Sequence, residues 1–403
     1  HTLTSKITFS SIIRCVKGYM DSDPNTYPMI LSLENHCSHP FQEVMAKVLK
    51  ETLGHLLYVP DKETLDKDLP SPEALRGKVV IKGKRPPEPD DAPDDEADSS
   101  DGEEEEEVDG KKDDKKDKPK KVKVLPVLAN LTLLNGTHYK SFEISKTIPP
   151  SSMHSIGESK ITKILDKSSA NVPLWREYNV NHLTRTYPAG VRVNSSNYNP
   201  TLAWSVGCQL VALNFQTNDS NMLMNDGRFK ENGGCGYVLK PANVMGEEPG
   251  ESLFKSGMKL KIRVIGGTGM PKPGGNTTGE TIDPYVRVTV HDVLAEKNSK
   301  ATEEDQDDWT SKEHHETEYI NDNGFCPVWD EKSFKEFEVQ APNVAMVVFA
   351  VLDKDTGFDD RLAAAAVPVS CLRRGIRSLT LSDYHGKDWG PFDFVHLLVE
   401  IDF

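Results

Sequence analysis

Residues 85–123 cannot belong to any folded core, and that fact divides everything else in the chain. The stretch opens at Arg85-Pro86-Pro87. It carries 14 acidic and no basic residues between Glu88 and Asp109, and closes in a lysine-rich block from Lys111 to Lys123. Such a composition has too little apolar surface to offset the entropy of ordering, so it is expected to be a disordered linker. It also accounts for the charge of the whole. The net charge is −15, and without those 14 carboxylates the rest of the chain is within one charge of neutral. Two roles fit the segment: a solvated spacer, or a mobile polyanion that covers a cationic pocket or is repelled by an anionic surface.

At 403 residues the chain exceeds one ordinary core, so two or more domains are expected. It begins at His1, in the middle of a strand-like phrase, and reads as a fragment whose beginning is missing. The longest clean apolar run, Val344 to Leu352, falls well short of the roughly 18 residues a membrane-spanning helix needs. Six cysteines are scattered without any C-x-x-C pairing, which argues for reduced thiols in a cytosolic protein and against a disulfide frame or zinc site. Asn-x-Ser/Thr triplets, as at Asn130 and Asn194, arise often by chance and do not imply secretion. No basic stripe marks the chain for nucleic acid.

On either side of the linker the pattern is that of a parallel α/β sheet. Tyr27 to Glu34 reads as a buried strand, Phe41 to Leu57 as a helix with apolar residues at helical spacing, and Lys78 to Ile81 as a second buried strand. After the linker, Pro200 to Trp204 reads as a helical turn and Gln209 to Phe215 as a strand. From about residue 255 the grammar changes. Leu260, Ile262 and Val264 alternate with charged residues, as do Val286, Val288 and Val290, and further strands are expected at 336–339, 345–352 and 396–401. Alternating strands at this spacing predict a β-sandwich.

Several residues have the chemistry of a site. Glu34 ends a buried strand, where α/β barrels gather ligands, and a carboxylate there suits Ca²⁺; a salt-bridged strand end fits equally well. Lys82 and Lys84 leave a strand at alternate positions and so project to one side. Two converging ammonium groups call for an anion such as a phosphate, unless both are simply solvated. Arg185 can bind phosphate bidentately, and Tyr187 offers a flat face to a ring. Ser155 is a hydroxyl that could equally cap a helix. In the sandwich, Asp283, Asp353, Asp355, Asp359 and Asp360 lie in loops with Asn321-Asp322-Asn323, a set that suits Ca²⁺ or a solvated acidic surface.

Taken in order, the phrases resemble one family over nearly the whole chain except the linker. Thr2-Leu-Thr-Ser-Lys-Ile7, Ile30-Leu-Ser-Leu-Glu-Asn-His-Cys37 and Ile81-Lys-Gly-Lys84 are similar to the X region of eukaryotic phosphoinositide-specific phospholipase C. Tyr187-Pro-Ala-Gly190, Ser195-Ser-Asn-Tyr-Asn-Pro200, Val211-Ala-Leu-Asn-Phe-Gln-Thr217 and Asn232-Gly-Gly-Cys-Gly-Tyr-Val-Leu-Lys-Pro241 are similar to its Y region, and the sandwich to its C2 domain.

The resemblance implies a TIM-like barrel in two halves followed by an all-β C2 sandwich. Residues 1–84 would be the later part of the X half, 85–123 the linker, 124–241 the Y half and 255–403 the C2 domain, in a delta- or zeta-like layout. It implies Ca²⁺-dependent cleavage of phosphatidylinositol 4,5-bisphosphate to diacylglycerol and inositol trisphosphate. On that resemblance Glu34 is a catalytic-site Ca²⁺ ligand, Lys82 and Lys84 bind phosphate, Ser155 and Arg185 contact ring phosphates, and Tyr187 packs against the inositol ring. Asp283, Asn323, Asp353, Asp355 and Asp359 match C2 Ca²⁺ ligands, with Asp322 and Asp360 as alternatives. Val191 stands where many relatives carry a larger apolar rim residue.

It further implies that the family's two catalytic histidines precede His1, so this chain alone is not expected to turn over. The parent is then either an enzyme or a catalytically silent phosphoinositide-binding scaffold; a third reading makes C2, as a Ca²⁺-dependent membrane module, the main actor. The expected setting is cytoplasmic, with recruitment to anionic membranes through C2; the sequence names no protein activator. If the polyanion restrains docking, deleting residues 88–109 raises the parent's activity on anionic vesicles. Unchanged activity in a vesicle hydrolysis assay would reduce the segment to a spacer.

Overall fold

The computed structural model describes residues 5–86, 124–168, 171–245, 253–254, 257–273, 279, 281–297, 309–382 and 395–403. His1 and residues 87–123, most of the expected linker, lie outside the described residues. The chain forms two compact units, one of residues 1–157 with 177–190 and one of residues 158–176 with 191–403.

In the first unit, strands β1 (Met29–Ser32), β2 (Val79–Gly83), β3 (Thr132–Thr137), β4 (Ser152–Gly157) and β5 (Thr184–Tyr187) pair in chain order, each parallel to the next. This is a parallel sheet of the TIM-like barrel kind. Two helices cover its start. Phe9–Ser22 is capped by the Thr8 side chain, which accepts from the Ser11 N–H, and His39–Leu53 begins with a proline in its first turn and ends at Gly54, at φ 54°. Their apolar sides, Ile13, Met20, Ala46, Leu49 and Leu53, pack on Met29, Leu31 and Leu33 and on Val79 and Ile81. Side chains alternate along a strand. The even-numbered partners Ile30, Ser32, Val80 and Lys82 therefore turn to the opposite, concave face.

The second unit holds strands β6 (Leu210–Val211), β7 (Met258–Thr268), β8 (Pro284–Val293), β9 (Thr310–Glu316), β10 (Lys335–Val339), β11 (Met346–Asp353), β12 (Asp360–Pro368), β13 (Gly375–Thr380) and β14 (His396–Asp402). Two antiparallel four-stranded sheets result, ordered β10-β7-β14-β13 and β12-β11-β8-β9. Leu260, Ile262 and Val264 on one face Val286, Val288, Val347 and Phe349 on the other, giving the alternation-built core of a sandwich.

The strand β11 is buried on both faces, which explains its unbroken apolar run. Its second face lies under the helix Ser220–Lys230, where Leu223 and Met224 meet Met346, Val348 and Ala366. Gly227 makes that approach possible: a Cβ there would lie 2.2 Å from the Ala366 carbonyl oxygen. The expected strand over 209–215 shrinks to Leu210–Val211. Beyond it the backbone turns to a side chain instead of a neighbour strand, as the Asn214 N–H donates to Asn197 Oδ1 at 2.5 Å.

His291 lies on that covered face of β8, 5 % exposed and paired across the ladder with Lys312. Burial, and then the charge of Lys312, push its pKa down to about 4 from 6.5. Below pH 6.5 the unfolded chain takes up a proton that the fold refuses, so stability is lost as pH falls from about 6.5 toward 4. The loss amounts to at most about 3 kcal/mol. In denaturant titrations across this window, His291→Gln is expected to flatten the acid-side fall; an unchanged slope would rule out His291 as its source.

Candidate anion and cation sites

The register of the parallel sheet decides which residues share a face. Ser32 pairs with Lys82, and Lys82 with Leu134; Gly136 pairs with Met153, Ser155 with Arg185, and Gly157 with Tyr187. Paired residues point the same way, and steps of two preserve the face. The β2–β3 ladder shifts register between Ile81 and Lys82, so parity is read separately on its two sides: Val79 and Ile81 pack under the helices, which turns Lys82 to the concave face, and His154 packs on Tyr178 in the helical layer, which turns Ser155, its partner Arg185 and Tyr187 to that face too. Glu34 and Lys84 follow two residues beyond Ser32 and Lys82, at the C-terminal ends of β1 and β2, the rim where barrel chemistry collects.

The individual environments differ. Lys82 is 3 % exposed and Lys84 partly exposed. Just beyond them Arg85, expected as the first residue of the linker, is instead anchored in the fold, its N–H donating to Asn135 Oδ1 and its guanidinium to Ser151 Oγ at 2.8 Å, so the strand end is held to β3 and to the start of β4. The Arg185 guanidinium lies 5.1 Å from the centre of the Tyr187 ring, a cation–π distance that aims both groups over one patch. Gly157 leaves the Tyr187 ring room, since a Cβ there would come within 3.4 Å of it. The Ser155 Oγ is buried with no hydrogen-bond partner among the described residues. A buried hydroxyl in that state costs about 1–3 kcal/mol, so this is a donor held ready for an acceptor. The helix-cap reading of Ser155 does not apply, because it lies inside β4.

Glu34 is solvent-facing, with 64 % of its side chain exposed, and its carboxylate is 2.9 Å from His36 Nε2. It can supply one or two oxygens to a hard cation, but no cluster of three or more His, Cys, Asp or Glu able to hold a metal occurs among the described residues.

In the sandwich, strand ends bring the acidic residues together. Asp353, the last residue of β11, pairs with Asp360 on one side and with Pro284, next to Asp283, on the other. The Asp283 N–H donates to Asp353 Oδ1, and the Asp322 N–H to Asp283 Oδ1, each at 2.7 Å. Burial pushes the Asp353 carboxyl up, and the charges of Asp355, Asp283 and Asp360 add to that push. As they stand, no three of these carboxylates are grouped closely enough to hold a metal; the donor type is that of Ca²⁺, and a divalent cation would relieve this repulsion.

Two of the expected ligands are otherwise engaged. Asn323 Oδ1 accepts from the Cys326 N–H within its own turn. Asp359 accepts from the Tyr285 hydroxyl at 2.8 Å, from the Asp355 N–H at 3.1 Å and from Lys354 Nζ. Sequence reasoning missed the aromatic flanks of this cluster. Phe325 is 84 % and Phe358 99 % exposed, at the tips of the 321–327 and 354–359 loops. The signal was an aromatic residue inside an otherwise polar, glycine-bearing loop (Gly324-Phe325, Gly357-Phe358).

Comparison with known proteins places these features in one family. Residues 1–85 match the model "Phosphatidylinositol-specific phospholipase C, X domain", residues 128–243 the corresponding Y domain, and residues 258–382 the C2 domain. The chain is 37 % identical to mouse "1-phosphatidylinositol 4,5-bisphosphate phosphodiesterase delta-3", over 99 % of its own length and 50 % of that protein's. It is 34 % identical to mouse "Inactive phospholipase C-like protein 2", over 99 % of its length and 35 % of that protein's. Its fold aligns with the crystal structure of L. pealei PLC21 at a TM-score of 0.75 and 26 % identity, covering all of this chain and 48 % of that one. The chain thus spans about half the length, or less, of the proteins it matches. Within those bounds, the ordered X, Y and C2 matches around a TIM-like sheet and a sandwich show that the chain belongs to the phosphatidylinositol-specific phospholipase C family.

Proposed function

We propose that this chain supplies the phosphate-recognition face and the membrane-docking C2 module of a phosphoinositide phospholipase C. The observation that carries the reading is the shared concave face, on which Lys82, Ser155, Arg185 and Tyr187 alternate with residues sunk under helices.

On that face Lys84 and Arg185 hold the ring phosphates of phosphatidylinositol 4,5-bisphosphate, Ser155 donates its free hydroxyl, and Tyr187 packs against the inositol ring. Lys82, buried at the strand end, sets the positive potential of the pocket floor. These groups bind and orient the headgroup, so that its 2-hydroxyl lies in line with the 1-phosphate. Ca²⁺, when bound at Glu34 and donors from the rest of the protein, supplies charge stabilisation at the reacting phosphate. Proton transfer falls to groups outside the residues assigned here. Asp283, Asp353, Asp355 and neighbouring loop oxygens take Ca²⁺ in C2, and the exposed Phe325 and Phe358 enter an anionic membrane beside them, which makes the protein peripheral. No described helix is long and apolar enough to cross a membrane.

A second reading, a silent phosphoinositide-binding scaffold, is favoured by the 34 % identity with a relative whose printed name begins "Inactive". Hydrolysis of the bisphosphorylated lipid by the longer protein separates the two: binding without turnover selects the scaffold.

In that longer protein, Lys84→Ala and Arg185→Ala are each expected to lower kcat/KM for the bisphosphorylated lipid by about 10- to 100-fold, the worth of one charge-assisted hydrogen bond. Plain phosphatidylinositol, which lacks the ring phosphates, should be affected much less. Equal losses on both lipids would overturn the pocket assignment. Ser155→Ala, by removing an unpartnered buried hydroxyl, should leave Tm unchanged or raised while weakening headgroup binding; a lowered Tm would instead make Ser155 a structural residue.

A further inference from the structure

We propose that Lys354 is a built-in counter-ion of the C2 acidic loops, one that competes with Ca²⁺ and sets the concentration at which the domain takes the ion up. The inference rests on the Ca²⁺ reading of these loops given above. Lys354 lies between Asp353 and Asp355 in sequence, at the turn joining β11 to β12. Its Nζ is 3.3 Å from Asp359 Oδ1 and 3.1 Å from Oδ2, bridging both oxygens of one carboxylate. The ammonium also lies 5.9 Å from the centre of the Tyr285 ring, whose hydroxyl donates to Asp359 Oδ2. Arg287 in turn reaches the Tyr285 oxygen at 3.3 Å and pairs with Glu316 at 2.6 Å, so the aromatic platform is itself braced on the sheet.

Two consequences follow. Both oxygens of Asp359 already accept hydrogen bonds, so the carboxylate has little left to offer a cation. In addition, a fixed positive charge stands one residue from Asp353 and Asp355, where a divalent ion would bind. In a water-like dielectric a unit charge at about 8 Å, one Debye length at physiological salt, repels a divalent ion by about 1 kcal/mol, or roughly fivefold in affinity. The Lys354 side chain is half exposed, so the repulsion is screened by salt.

The test is calorimetric titration of the full chain with CaCl₂ at low and high ionic strength, comparing wild type with Lys354→Met and Lys354→Arg. Lys354→Met is expected to bind Ca²⁺ about three- to tenfold more tightly at low salt, with the difference shrinking at high salt, while Lys354→Arg stays near wild type. Binding by Lys354→Met with wild type silent is the extreme form of the same result. Equal affinities in wild type and Lys354→Met would overturn the role of Lys354 and leave the Ca²⁺ site standing. Heat from none of the three proteins would overturn the Ca²⁺ reading itself, and with it the counter-ion.

Discussion

A strand cannot turn one side chain without turning its neighbours the other way, and the barrel half of this chain depends on that constraint. Val79 and Ile81 are drawn under the helices Phe9–Ser22 and His39–Leu53 by the burial of apolar surface. Their burial forces Lys82 to the concave side at 3 % exposure, a position that apolar surface alone would never select for an ammonium group. Beyond the register shift between Ile81 and Lys82 the same constraint acts again: His154 is drawn into the helical layer, so Ser155 and its ladder partner Arg185, with Tyr187, turn to the concave side. The cationic character of the concave face is thus a consequence of how the oily face is satisfied. A slip of one residue in β2 would bury both the fold's hydrophobic anchors and its cations in the wrong places.

His154 shows the converse. As the residue before Ser155 it must face the helical layer, where it is 1 % exposed, stacked on Tyr178 with ring centres 5.0 Å apart. Its Nε2 is 2.7 Å from Ser145 Oγ and its Nδ1 3.1 Å from the Thr137 carbonyl. A histidine adjacent to a substrate-facing residue is a tempting acid–base candidate in a phosphodiester-cleaving family. Register removes it from consideration, because both ring nitrogens are committed on the far side of the sheet.

Much of this was legible in the sequence wherever burial is one-sided or total. The alternation at Leu260-Ile262-Val264 and the runs around Ile30, Val80 and Phe349 each mark a strand that the structure contains. Strands β3, β4 and β5 were not legible: Thr184–Tyr187 is four residues of alternating threonine with Arg and Tyr, and Ser152–Gly157 begins and ends in small residues. Their strand character comes from ladder partners supplied by distant segments, which no local pattern announces. The Ala363–Ala366 portion of β12 is hidden for a related reason. Small residues are needed where the helix Ser220–Lys230 presses on the sheet at Gly227, and a run of alanine by itself suggests a helix. Candidate residues were legible by type and position; their partners were not. Nothing in the spacing of Asp353, Lys354, Asp355 and Asp359 says that the lysine folds back on the last of them.

The two sites solve opposite electrostatic problems with the same device. On the proposed reading, cations gathered at strand ends of the barrel face take phosphate, and carboxylates gathered at strand ends of the sandwich take a cation. In each case the strand ends fix the charges before any ligand arrives, so binding does not have to order them. The difference lies in the neighbours. Arg85 at the barrel rim is held on the neutral side chains of Asn135 and Ser151, whereas Lys354 lies directly on the carboxylate of Asp359. On that reading a headgroup meets a face already poised for it, while a metal ion must displace or tolerate an internal rival. If docking falls to C2 and recognition to the barrel, as proposed, the rival on the docking side is where sensitivity to calcium would be tuned without touching the residues assigned to the lipid.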